Sequence, residues 1–136
     1  ITKGQFEEIV SHAKSCLPDE ACGLLGGIVE GDKKIVKKVY IVTNLDQSPE
    51  HFSMEPKEQF GAVKDMRARG LTPLGNWHSH PETPSRPSEE DIRLSYDPGA
   101  SYLILSLEHR DAPVLNSFHV EEGVVTKENL IIQEDA

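Results

Sequence analysis

The chain has 136 residues, 37% of them hydrophobic and 27% charged. These are ordinary globular proportions, and the length sets an expectation of one domain, residues 1–136, whose core needs no staples. A formal net charge of −9 argues against nucleic acid as a partner, because phosphate binding takes a basic face; no apolar run approaches the roughly 18 residues that span a bilayer, so no membrane is expected either.

Thr2-Lys3-Gly4-Gln5 has capping-box spacing, and Phe6, Ile9, Val10 and Ala13 repeat at helical intervals until Pro18, which predicts a helix over residues 3 to 16. ACGLLGGIVEGDKKIVKKVYIVTN reads as two strands around a turn at Glu30-Gly31-Asp32. HFSM has the look of a short strand. EPKEQFGAVKDMRARG reads as a second helix ending near Gly70, with Phe60, Val63 and Met66 on one side and basic residues in its last turn. LTPLGNWHSH reads as a strand, and Pro81, Pro84 and Pro87 force a loop after it. Ser88-Glu89-Glu90-Asp91 opens a short helix, and SYLILSLE, PVLNSFHVEE and VVTKENLIIQ are three further strands. This mixed order predicts an α/β, sandwich-like domain with a mostly antiparallel sheet. The opening ITKGQFEEIV lacks the basic-then-apolar order of a signal peptide, and two cysteines are too few for a disulfide framework, so the cytoplasm is the expected compartment.

The chemistry concentrates in HSHPETPSRPSEED, residues 78–91. Side chains at i and i+2 of a strand share a face, so His78 and His80 can point at one ion while Ser79 faces away. If Ser88 begins a helix, Asp91 lies in its first turn and can reach back to the strand end. Two imidazoles and a carboxylate, with a fourth position left to water, form the ligand set of a catalytic zinc rather than a structural one. Zinc lowers the pKa of such a water to about 7, and a nearby carboxylate can then carry its proton to a leaving amine. Glu20 is a candidate for that carboxylate, because a sheet neighbour of NWHSH could hold it near the metal. Spacing alone does not single it out among the other acids.

PDEACGLLGG followed far downstream by HSHPETPSRPSEED resembles the JAMM signature, a glutamate, a long gap, then H-x-H, seven residues and S-x-x-D. NLDQSPEHFSMEPKEQF and YDPGASYLILSL also resemble linking segments of that family, so the likeness covers nearly the whole chain. The resemblance implies the MPN fold of the Mov34/PAD-1 family, a mixed and mostly antiparallel sheet flanked by helices, with a cytidine-deaminase-like architecture. It implies a zinc-dependent hydrolase of peptide and isopeptide bonds, in which His78, His80 and Asp91 bind Zn2+, Glu20 is the general acid/base and Ser88 stabilises the oxyanion. The compactness of the chain makes it similar to prokaryotic members, whose partners are small ubiquitin-like sulfur-carrier proteins ending in Gly-Gly. A glycine pair suits a narrow cleft, since glycine alone lets a backbone approach so closely.

Several positions have plainer readings. Ser88 before three acids is also a good helix N-cap. His12, His51, His109 and His119 read as ordinary surface or core residues, and Trp77 as core. Gly23, Gly26 and Gly27 suit close backbone approach or a bulge rather than phosphate binding. Cys22 shares the face of Glu20 if that segment is extended, and packing is its simpler role. A non-catalytic MPN scaffold is the alternative function, although scaffolds normally lack the ligands. A nucleoside deaminase would need H-x-E with P-C-x-x-C, and neither occurs.

Overall fold

The computed structural model describes residues 1–135. Helix α1 (Lys3–Cys16) begins with the expected capping box: Thr2 Oγ1 accepts from Gln5 N, and Gln5 Oε1 accepts from Thr2 N. Strands β1 (Cys22–Glu30) and β2 (Lys33–Val42) form a hairpin about Gly31, whose positive φ of 61° suits glycine. Helix α2 (Pro56–Ala68) leads to strand β3 (Thr72–His80), the Pro-rich loop and the short helix α3 (Glu89–Arg93). Strands β4 (Ser101–Ser106), β5 (Val114–Glu121) and β6 (Val124–Glu128) complete the chain's regular structure.

The six strands form one sheet in the order β2-β1-β3-β4-β5-β6. Every pair is antiparallel except β3–β4, which is parallel. The two helices α1 and α2 pack on opposite faces, because neighbouring strand residues point to opposite sides. Leu25, Val39, Trp77, Leu103 and Leu105 join Ile9 and Ala13 of α1 in the larger core. Leu24 and Tyr40 meet Ala62 and Met66 of α2 on the other face. A mostly antiparallel sheet flanked by helices is the architecture expected from the element order.

Three local expectations change. Phe60 is 66% exposed, and the buried positions of α2 are Ala62 and Met66. Their i, i+4 spacing defines the packed stripe, which leaves Phe60 outside it beneath the Lys64 ammonium. HFSM is not a strand: only Met54 pairs, in an isolated bridge with Asn44. The last predicted strand stops at Glu128, and the chain then returns to the N-terminus, where Lys3 N donates to the Gln133 carbonyl. Among the described residues no helix is long and apolar enough to cross a membrane.

The β1 glycines act as expected. The register shifts at Leu25/Gly26 against β3 and at Gly26/Gly27 against β2, which is the mark of bulges. A Cβ on Gly23 would lie 1.9 Å from the Tyr40 carbonyl oxygen and 2.3 Å from Trp77 Nε1. Glycine there lets the fully buried Trp77 indole donate to Tyr40 O at 3.1 Å.

Candidate metal centre

The alternation of β3 puts Trp77 and Ser79 toward the α1 core and leaves His78 and His80 on the opposite face. Both histidines are buried. Pro81 ends the strand, and the loop returns the chain to Ser88, the N-cap of α3. Ser88 Oγ accepts from Asp91 N at 3.0 Å, and Asp91 Oδ2 accepts from Ser88 N at 2.9 Å. This capping box turns the Asp91 carboxylate back toward the strand end.

The outcome is a tight convergence. Asp91 Oδ2 lies 3.2 Å from His78 Nε2 and 3.1 Å from His80 Nε2, and the two imidazole nitrogens are 3.0 Å apart. These three residues form a group able to hold a metal ion. His80 Nδ1 lies 3.0 Å from the Pro84 carbonyl. A carbonyl only accepts, so Nδ1 carries the hydrogen and Nε2 turns its lone pair to the cluster. His78 Nδ1 is buried without a partner, and its ring is held instead by Phe52, stacked at 4.6 Å between centroids. Nε2 of both rings and the Asp91 carboxylate face one point, an arrangement that a cation matches better than one shared proton. Burial alone would raise the Asp91 pKa, but the adjoining His78 and His80 rings and the Ser88 N–H outweigh it and hold the carboxyl far below the usual range. It is therefore in the anionic form that a metal requires.

Glu20 sits just before β1 and is 4% exposed. Its backbone is tied to the loop after β2, where Glu20 N donates to Ser48 O and Asn44 Nδ2 donates to Glu20 O. The next residue meets β3, because Ser79 Oγ accepts from Ala21 N at 2.8 Å. Glu20 Oε1 has no hydrogen-bond partner. Burial, then the charges of Asp91, Glu90 and Glu50, push its carboxyl up to about 9. A buried acid with an empty oxygen and a raised pKa is suited to proton transfer.

Ser88 is exposed and is an N-cap in fact, as the plainer reading had it. Its oxygen accepts from Asp91 N, which leaves the hydroxyl hydrogen to donate elsewhere. Cys22 is fully buried and lies opposite His78 in the β1–β3 register. Its Sγ donates to the Val42 carbonyl, and burial pushes its thiol up to about 12, so it packs as a neutral thiol outside the metal-holding group. A cleft runs from His78 and Asp91 between α3 and the sheet, walled by Phe52, Leu94, Tyr102, Ile104 and Val120. His51 and Glu90 also line it, with His51 Nδ1 2.7 Å from Glu90 Oε2. Sequence reasoning passed over Phe52 and His51, because nothing in their neighbours signals a contact with residues 26 or more positions away.

Known proteins resemble the chain throughout. Residues 2–120 match the family described as prokaryotic homologs of the JAB domain. The CysO-cysteine peptidase of Mycobacterium tuberculosis is 31% identical over 126 residues, covering 93% of this chain and 85% of that protein. A desampylase of Haloferax volcanii is 31% identical over 109 residues, covering 76% of this chain and 77% of its own. The solution structure of a Desulfitobacterium hafniense protein superposes with a TM-score of 0.91 at 56% identity, covering 98% of this chain and 92% of that one. Matched over nearly its whole length by the family and by relatives named as peptidases, the chain belongs to the prokaryotic JAB-domain (MPN) family.

Proposed function

We propose that this chain is a zinc-dependent peptidase and isopeptidase acting at the Gly-Gly C-terminus of small ubiquitin-like or sulfur-carrier proteins. One observation carries the reading: His78 Nε2, His80 Nε2 and Asp91 Oδ2 converge within 3.2 Å near the charge field of a buried, unpartnered Glu20 carboxyl. The relatives support the substrate class, since one is named for CysO-cysteine and another is a desampylase. A scaffold would leave the buried acid and the three converging donors without a purpose. The single six-stranded sheet, with His78 and His80 on β3 and Glu20 just before β1, supports residues 1–136 as one domain. The free thiols of Cys16 and Cys22 suit the reducing cytoplasm.

His78, His80 and Asp91 hold the zinc in this reading, which when bound acidifies a water and polarises the scissile carbonyl. Glu20 takes the proton of the attacking water and delivers it to the departing amine. The Ser88 hydroxyl donates to the oxygen that gains charge as the carbonyl becomes tetrahedral. Asp91 keeps His78 and His80 aligned, and the apolar cleft beside them excludes water from the substrate's extended tail.

Mass spectrometry tests the proposal on carrier proteins extended beyond Gly-Gly and incubated with the zinc-loaded protein. The expected product ends at the second glycine, and Glu20→Gln makes none of it. Intact fusions after prolonged incubation with wild type would overturn the substrate assignment.

A further inference from the structure

The loop between His80 and Ser88 can satisfy little of its own backbone, because Pro81, Pro84 and Pro87 bring no N–H; within it Arg86 N donates to the Pro84 carbonyl at 2.9 Å. Its carbonyls are met by side chains from the neighbouring strands. Ser106, the last residue of β4, donates through Oγ to Thr83 O at 2.7 Å. Ser85 donates through Oγ to Ile104 O at 2.6 Å, and Asn116 Nδ2 of β5 donates to Ser85 O at 3.3 Å. Residues 83 and 85 are thus fastened to β4 on either side of Pro84. The Pro84 carbonyl between them is the group that receives His80 Nδ1–H. Ser106 is 4% exposed on a strand otherwise buried through Leu103, Ile104 and Leu105. It lies opposite His80 in the parallel register, and its hydroxyl also accepts from Glu108 N.

We infer that Ser85 and Ser106 are positioning residues for the metal centre, fixing the Pro84 carbonyl so that His80 keeps its hydrogen on Nδ1 and its lone pair on Nε2. The inference rests on the reading of His80 as a metal ligand. Its physical basis is that the partner of a ligand histidine sets both ring orientation and tautomer, and losing such a partner costs about 10–100-fold in metal affinity. A carbonyl on a loose loop would hold the imidazole less firmly than one fastened on both sides. Hydrogen bonds with good geometry on both neighbours make the loop act as part of the sheet.

Ser85→Ala, Ser106→Ala and the double variant test this. Ser117→Ala serves as control, because Ser117 is equally buried and donates to Glu128 Oε1 at 2.6 Å on the α1 side of the sheet. Zinc affinity is read by chelator competition, and the His80 tautomer by long-range 1H–15N spectra of the metal-free protein. The double variant is expected to bind zinc about tenfold more weakly and to show both His80 tautomers, while Ser117→Ala melts lower and binds zinc as wild type does. Should Ser106→Ala fold poorly, half-buried Ser85→Ala carries the test alone, with the same direction of change. Zinc affinity and a single tautomer unchanged in the serine variants would overturn the inference while leaving the metal centre standing. A wild-type protein that takes up no zinc would instead remove the metal-centre reading, and this inference with it.

Discussion

The Phe52 ring lies over the His78 imidazole with centroids 4.6 Å apart and planes inclined by 23°, and the buried Nδ1 of that imidazole has no hydrogen-bond partner. A side chain from the loop between β2 and α2 therefore steadies a candidate ligand on β3. Phe52→Ala is expected to weaken zinc binding by about tenfold, measured by chelator competition. Phe52→Leu, which keeps apolar cover without a ring, should fall between. Equal affinity in all three proteins would reduce Phe52 to a wall of the cleft.

The ligand set has its own direct check. Metal analysis should find one zinc per chain in wild type and almost none in purified His78→Ala/His80→Ala. Near-stoichiometric zinc in that variant would place the site elsewhere.

Glu20→Gln separates catalysis from stability. It should keep zinc and lose about 10²–10⁴ in turnover, the usual share of general acid–base catalysis. Its metal-free form should also be more stable than wild type above neutral pH. The Glu20 carboxyl is raised to about 9 in the fold, by burial first, against roughly 4.3 in the unfolded chain. Between those values the folded protein holds a proton that the unfolded chain releases, so wild-type stability falls as pH rises through the window. Glutamine has no such loss. We expect an advantage of several kcal/mol at pH 8, on the order of 1.4 kcal/mol for each pH unit above the unfolded value, shrinking toward pH 5, in thermal melts of the two metal-free proteins. A constant difference across that range would contradict the buried-acid account.

Ser88 caps α3, and in the proposed mechanism its hydroxyl also donates to substrate. Ser88→Gly distinguishes the roles, because glycine costs an N-cap only a few tenths of a kcal/mol. The variant should melt close to wild type yet turn over at least about tenfold more slowly, with KM little changed. A wild-type rate per bound zinc would leave Ser88 as a helix cap alone.

Away from the site, Tyr40 donates to Asp65 Oδ2 at 2.6 Å, where Arg69 Nε also donates at 2.8 Å. The Tyr40 hydrogen bond is the main reason that the Asp65 carboxyl sits below its ordinary pKa. A depressed carboxylate contributes stability that is present above the unfolded value of about 3.9 and is lost as pH falls through the folded one. Tyr40→Phe should lower stability at pH 7 and flatten the acid side of the stability curve. Denaturant melts from pH 7 to pH 3 measure both effects, and parallel curves for the two proteins would refute the assignment.

What the sequence disclosed follows from how far apart the partners are. His78 and His80 share a face through strand alternation, and Ser88 and Asp91 meet through one turn of helix, so spacing foretold their convergence. Glu20 was different: it reaches the site because β1 pairs with β3, a contact sealed by Ser79 and Ala21 across 58 positions, and the family likeness rather than spacing pointed to it. Ser106 and Phe52 left no trace, because a serine ending an apolar strand and a phenylalanine in a loop are satisfied in many ways. Phe60 misled for a related reason. An apolar residue at helical spacing is buried only if the neighbouring layer extends over it, and here the packed stripe of α2 runs through Ala62 and Met66.

The lone parallel pair, β3 with β4, has a further effect on how the protein can change. Strands that run the same way cannot be joined by a tight turn; the chain must travel back along the sheet, which takes a dozen residues or more. Residues 81–100 make that journey, and they carry the Pro-rich loop, Ser88 and Asp91. The return path and the reactive segment are one piece of chain. Cutting it below about a dozen residues would strain the central pairing of the sheet as well as empty the site. Lengthening carries no such penalty, since each doubling of a flexible connection costs only about 0.6 kcal/mol. The architecture thus leaves this segment free to grow, and new contacts can be added to the connection without disturbing the strand that holds the histidines.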